Sequence, residues 1–144
     1  MDKRSLQRAV SAAFWEKSSA KLKSEETAAA LRELFDYVVA TLARRVDDVK
    51  TEAGKAVSFF EAGREFLTIN VGRENLRVYV HPQAGVLFEP EATFDVEKFR
   101  FWEASFQKKT GKFRGMSFWV SAPAHLPGAR AVIDRIPREK AAGA

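Results

Sequence analysis

Cysteine is absent from this chain, and histidine occurs only twice. The missing thiols exclude disulfides, thiolate catalysis and cysteine-ligated zinc, and they fit a reducing cytoplasm, the expected compartment. His81 and His125 each stand beside a proline-containing turn, with no acid at a recognisable motif spacing. That is a poor basis for a metal site, and no metal or other cofactor is expected. No apolar run approaches the roughly 18 residues of a membrane-spanning helix, so no membrane is expected among the partners. The N-terminal stretch MDKRSLQRAVSAAFWEKSSAK has neither a long apolar centre nor a small-residue cleavage site, and it does not read as a signal peptide.

Catalytic signatures are missing as well. Ser117 and Ser121 flank Trp119 outside any G-x-S-x-G context. Gly111 and Gly115 lack the Lys-Ser/Thr that would complete a phosphate loop. No catalytic residues are assigned, and a non-enzymatic role is expected.

What the chain does contain is ordinary globular material: 46% hydrophobic and 30% charged residues over 144 positions. That length suits one domain, expected over residues 1–137 with 138–144 as a flexible tail. Its centre is Ala56–His81, which reads as three strands joined by tight turns: Ala56–Phe60, Glu65–Val71 and Leu76–His81. Glycines fall in both turns, Ala62-Gly63-Arg64 and Gly72-Arg73-Glu74-Asn75. Alternation puts Phe66, Thr68 and Asn70 on one side and Leu67, Ile69 and Val71 on the other. In the same way Leu76, Val78 and Val80 lie opposite Arg77 and Tyr79. Val86–Phe88 adds a short strand, and Phe113–Ser121 another, with Met116, Phe118 and Val120 alternating with Ser117, Trp119 and Ser121.

Helices flank this sheet. Ser5–Lys23 reads as a peripheral first helix, with Phe14 and Trp15 as candidate interface anchors. Ser24 caps a second, with Glu25 and Glu26 in its first turn. The spacing of Leu31, Leu34, Phe35, Val38, Val39, Leu42, Val46 and Val49 carries that helix to about Val49. Asp47 and Asp48 would then be a solvated helix end, and Gly54 would serve as a stop. Phe94–Lys109 supports two readings. A helix is favoured by Asp95 as N-cap, by the staple spacing of Phe94 and Phe99, and by Gly111 as terminator. A strand is favoured by Phe-Arg-Phe-Trp and a Thr110-Gly111 turn. Pro127 opens a final short helix. The expected fold class is α+β, an antiparallel sheet of three to five strands packed by a long N-terminal helix, a middle helix and a short C-terminal helix.

The segments LRELFDYVVATLARRVDD, SFFEAGREFLTINVGRENLRVYVHP and FRGMSFWVSAPAHLPGARAVIDRI resemble a group of uncharacterised bacterial α+β domains often labelled predicted transport proteins. The resemblance spans roughly Ala30–Ile136 and implies a fold, not an activity. The order α-β-β-β-α-β is also similar to that of restriction-endonuclease-like nucleases. That resemblance implies an acid on the second strand and an acid-x-Lys pair on the third. Glu65 is present, but Leu76-Arg77-Val78-Tyr79-Val80 has neither acid nor lysine. It therefore implies at most a catalytically inactive relative.

Charge is unevenly spread. Residues 51–97 hold 4 Lys/Arg against 8 Asp/Glu, and residues 98–144 hold 10 against 3. Lys98, Arg100, Lys108, Lys109, Lys112 and Arg114 interleave with aromatics including Trp102, a composition suited to phosphates and unpaired bases. Trp119, on the polar side of its strand, is a third candidate interface aromatic. The functional expectation is thus a binding domain. Its partner is another protein or a second copy in a homodimer, with DNA or RNA as the alternative.

Overall fold

The computed structural model of the chain describes residues 1–86, 92–102 and 115–139. Two hairpin turns fix the middle of its sheet. Between β2 (Ala56–Glu61) and β3 (Arg64–Val71), Ala62 and Gly63 both take positive φ, 50° and 75°. That is the two-residue turn whose twist matches paired strands. Gly72–Asn75 then returns the chain into β4 (Leu76–Val80), closed by Gly72 N–H donating to the Asn75 carbonyl at 2.9 Å.

Three further strands complete the sheet. β1 (Asp48–Glu52) pairs with β2, and β6 (Gly115–Val120) lies between β4 and β5 (Glu97–Trp102). The order is β1-β2-β3-β4-β6-β5, and every pairing is antiparallel. The α+β class holds, with six strands rather than three to five. Over its first half the favoured middle helix is replaced by β5; residues 103–109 of that expected helix, and Phe113 and Arg114 of the strand expected after it, lie outside the described residues. The helix's capping signals are local, whereas pairing of Phe101 with Met116 and Trp102 with Gly115 ties the segment to a distant strand. Phe94 and Phe99 do meet, at 5.3 Å between ring centroids, but in extended chain. Leu87 and Phe88 of the expected short strand, and residues 140–144 of the tail, lie outside the described residues.

The helices differ from the expectation in two places. The N-terminal segment is two helices, α1 (Lys3–Arg8) and α2 (Ala12–Lys21), because Ser11 caps the second by accepting from Phe14 N–H at 3.3 Å. It is not peripheral: Leu6 and Phe14 are fully buried. The long helix, α3 (Glu25–Leu42), stops short of Val49. The apolar spacing misleads there, since Val46 and Val49 are both buried but Val49 belongs to β1. Asp47 lies just before that strand; its N–H donates to the Phe60 carbonyl and its carboxylate accepts from Ala62 N–H. Gly54 sits at φ 73° in the β1–β2 turn instead of stopping a helix. The final helix, α4 (Leu126–Asp134), is where Pro127 places it.

All four helices feed one core with the alternate residues Val57, Phe59, Leu67, Ile69, Leu76, Val78, Val80, Met116, Phe118 and Val120. Rings carry the contact inward from α2: Phe14 meets Trp15, Trp15 meets Phe35, and Phe35 stacks on Phe59 at 5.8 Å. Gly128 is buried in α4 against the backbone of Asp95, where an added Cβ would fall 2.5 Å from the carbonyl oxygen. One register break matters. Phe59 faces Leu67 but Phe60 faces Glu65, so Phe66 is the extra residue of a bulge. The alternation therefore fails at Phe66, which is buried under Arg45 with the guanidinium 5.0 Å from its ring.

Arg45 itself is 3% exposed and fully engaged. Nε and Nη2 donate to the Glu61 carboxylate, Nη1 to the carbonyls of Ala84 and Pro137, and Nη2 also to that of Gln83. Removing one member of a buried ion pair strands the other, at a cost of about 3 to 5 kcal/mol. Arg45→Ala is expected to lower unfolding stability by about 3 kcal/mol or more in urea titration. Arg44→Ala, at an exposed ion pair next door, should change it by under about 1 kcal/mol. Equal effects would show that burial of Arg45 carries no special weight.

Candidate nucleic-acid interface

The residues that alternate away from the core make a second, polar face. Register defines its rows. One runs Ser58, Thr68, Tyr79, Ser117, Arg100 from β2 to β5; the next runs Ala56, Asn70, Arg77, Trp119, Glu97. Tyr79, Arg77 and Trp119 are half-buried on this face, and Arg100 is exposed.

Cations and rings interleave here. The Arg77 guanidinium lies 4.6 Å from the Tyr79 ring and 5.2 Å from the Trp119 ring. Lys98 places its ammonium 4.8 Å from the same Trp119 ring. It reaches that position through a bulge in β5. Three steps from Glu97 to Arg100 span only two from Trp119 to Ser117, and Lys98 takes φ 49°. Positive φ at a lysine is a strained choice where glycine would be at ease, costing on the order of 1 kcal/mol. Bulges of this kind re-aim a side chain.

Between β4, β6 and β5 the face hollows into a cleft of about 250 Å³ lined by Arg77, Tyr79, Arg100, Phe101 and Ser117. Arg77 Nε is buried there without a hydrogen-bond partner. Among the described residues no carboxylate lines the cleft. The Glu97 carboxylate, one row away, accepts from Ser121 Oγ at 2.6 Å.

Further along the face, Thr68 Oγ1 donates to Glu65 and sits 3.1 Å from His81 Nε2. With its proton given to Glu65, the threonine oxygen accepts from a neutral His81. The His81 ring stacks on Tyr79, with centroids 6.4 Å apart. Burial lowers the His81 pKa from its ordinary 6.5, against the opposing pull of Glu65. For Glu65, burial favours the neutral acid, but hydrogen bonds from Thr68 and Ser58 and the nearby His81 outweigh it and lower its pKa.

The sequence candidates are thus divided. Lys98, Arg100 and Trp119 come together on one face. Trp102 continues β5 opposite Gly115. Lys108, Lys109, Lys112 and Arg114 lie outside the described residues. Phe14 is no exposed anchor, being fully buried, and Trp15 is half-buried between Phe14 and Phe35 with Arg32 4.4 Å above its ring. Sequence reasoning missed Arg77, Tyr79 and Ser117 as site residues. Their signal was present, since each alternates with core residues on its strand, but only cross-strand register brings them beside Lys98 and Arg100.

Among the described residues no group of acids and histidines is arranged to hold a metal ion, and no helix is long and apolar enough to cross a membrane. The chain matches no family model, no curated protein and no solved structure.

The His81 cluster makes stability depend on pH. Because its folded pKa is lowered, the unfolded chain takes up this proton first as pH drops below about 6.5. Stability should therefore be complete above that value and fall on going from pH 7 to pH 5. The Glu65 contribution should be lost only below about 4.5, where the unfolded carboxylate protonates first. Urea midpoints measured at pH 7 and pH 5 should differ in the native chain and differ less in His81→Gln. An unchanged pH dependence in that variant would separate His81 from the effect.

Proposed function

We propose that this chain is a non-enzymatic binding module that takes single-stranded nucleic acid on the polar face of its sheet. The observation that carries the reading is the run Lys98, Trp119, Arg77, Tyr79, in which cations and half-buried rings alternate across three strands. Rings offer faces on which unpaired bases stack whatever their sequence, and the cations between them neutralise phosphates. The bulge at Lys98 supports the same reading, since it spends backbone strain to hold a cation on this face.

A protein partner or a homodimer is the weaker reading. Its anchors Phe14 and Trp15 are engaged inside the fold, and Trp119, the third, is already flanked by two cations.

Three cations on the face, Arg77, Lys98 and Arg100, set the expected salt dependence. For single strands each neutralised phosphate adds about 0.7 to the slope of log affinity against log salt, so a slope near −2 is expected. Fluorescence anisotropy with a labelled oligo(dT) should show it. Trp119→Ala should weaken binding by about tenfold, the low end of what one stacked base contributes. Lys98→Gly should weaken it too while leaving thermal stability within about 1 kcal/mol, because glycine relieves the positive φ. No retention of the oligonucleotide at low salt, or full affinity in Trp119→Ala, would overturn the reading.

A further inference from the structure

We propose that the cleft between β4, β6 and β5 is a binding site for a phosphate group. Arg77 and Arg100 supply the charge, and Ser117 and Tyr79 line the cleft beside them. The site rests on the nucleic-acid reading of this polar face and narrows it to one chemical group, with five lining residues among those described.

The donor set points to an anion. Neither arginine has an ion-pair partner among the described residues, although charged groups elsewhere in the fold find theirs. The Arg77 guanidinium lies over two rings, contacts that do not use up its N–H groups. Its Nε–H is buried and unsatisfied. A buried donor left unmade is costly, and a ligand oxygen is the partner that would remove the cost. Ser117 is 1% exposed, and its register neighbours on either side are Tyr79 and Arg100.

Size and composition narrow the anion further. About 250 Å³ lies below the usual range for whole-cofactor pockets, so the cleft suits one group and not an entire nucleotide. Two guanidiniums and the Ser117 hydroxyl outnumber what a carboxylate's two oxygens can use. A phosphate offers a third charged oxygen, and planar guanidinium forks match its edges. Phe101 closes one side with an apolar surface, where an aromatic or sugar carrier of the phosphate would rest.

A phosphate reaches such a site in one of two ways, on a small phosphorylated molecule or on a nucleic-acid strand, and the test separates them. Phenyl phosphate is titrated into the intact protein and followed by NMR at the Arg77 Nε–H. A short oligo(dT) is titrated in parallel. A saturable shift of that resonance with phenyl phosphate, absent with sodium chloride at matched ionic strength, is the expected result. Arg77→Lys and Arg100→Lys keep the charge but lose the fork, and each should weaken phenyl phosphate about tenfold. Phosphate-dependent elevation of the thermal midpoint gives a second readout, and it should disappear in both variants. Phenyl phosphate binding without oligonucleotide binding would keep the phosphate site and remove the nucleic-acid reading. Oligonucleotide binding with no response at Arg77 to phenyl phosphate would do the reverse. Unchanged affinity in both lysine variants would overturn the site.

Discussion

Two guanidiniums are drawn into this protein, and the way each is satisfied organises everything else. Arg45 leaves the end of α3 and enters a cage made by Glu61, the 82–84 turn, the Pro137 carbonyl and the Phe66 ring. Those partners come from four separate stretches of chain. Holding them together fixes where α3 ends, how the β2–β3 hairpin bulges and where the chain passes after α4. The bulge at Phe66 is part of the same arrangement, because it swings an aromatic ring onto the core side to meet the cation. A charge this deep is tolerated because Nε, Nη1 and Nη2 all donate, and its countercharge is buried with it.

Arg77 is the opposite case. It is flanked by rings, has no countercharge among the described residues and keeps a buried Nε–H without a partner. Folding alone gives no reason for that arrangement. Ring contacts of this kind contribute about 0.5 to 2 kcal/mol, comparable with the penalty of one unmet donor. A leucine at the same position would avoid the penalty. The contrast is one of saturation: every N–H-bearing nitrogen of Arg45 donates within the chain, whereas Arg77 Nε does not.

How much of this was legible in the sequence follows the range of the interactions. The strands β2, β3 and β4 were readable to within about one residue because hairpin turns and alternation are local. The polar face of β4 was readable for the same reason, although nothing local marked Arg77 as a site. The errors came where a local signal continued across a boundary set by distant contacts. Val46 and Val49 extend the helical spacing of α3, yet Val49 is buried because β1 pairs with β2. Asp95 and the Phe94–Phe99 spacing imitate a helix start, yet β5 is held as a strand by β6. Antiparallel register is the one quantity that single-strand patterns do not contain, and it is register that assembles Arg100, Ser117, Tyr79 and Arg77 around the cleft.

The charge map of the polar face also takes its meaning from register. Asp48, Glu52 and Glu65 lie on β1 and β3, while Arg77, Lys98 and Arg100 lie on β4 and β5. Five strand intervals of about 4.8 Å separate β1 from β5, roughly 24 Å in all. Screening at physiological salt acts over about 8 Å. The acids of β1 therefore do not cancel the cations of β5. At the β5 end the strained Lys98 holds its charge above Trp119 next to the exposed Glu97, and at the β1 end Lys50 stands between Asp48 and Glu52, so each end of the face carries both signs.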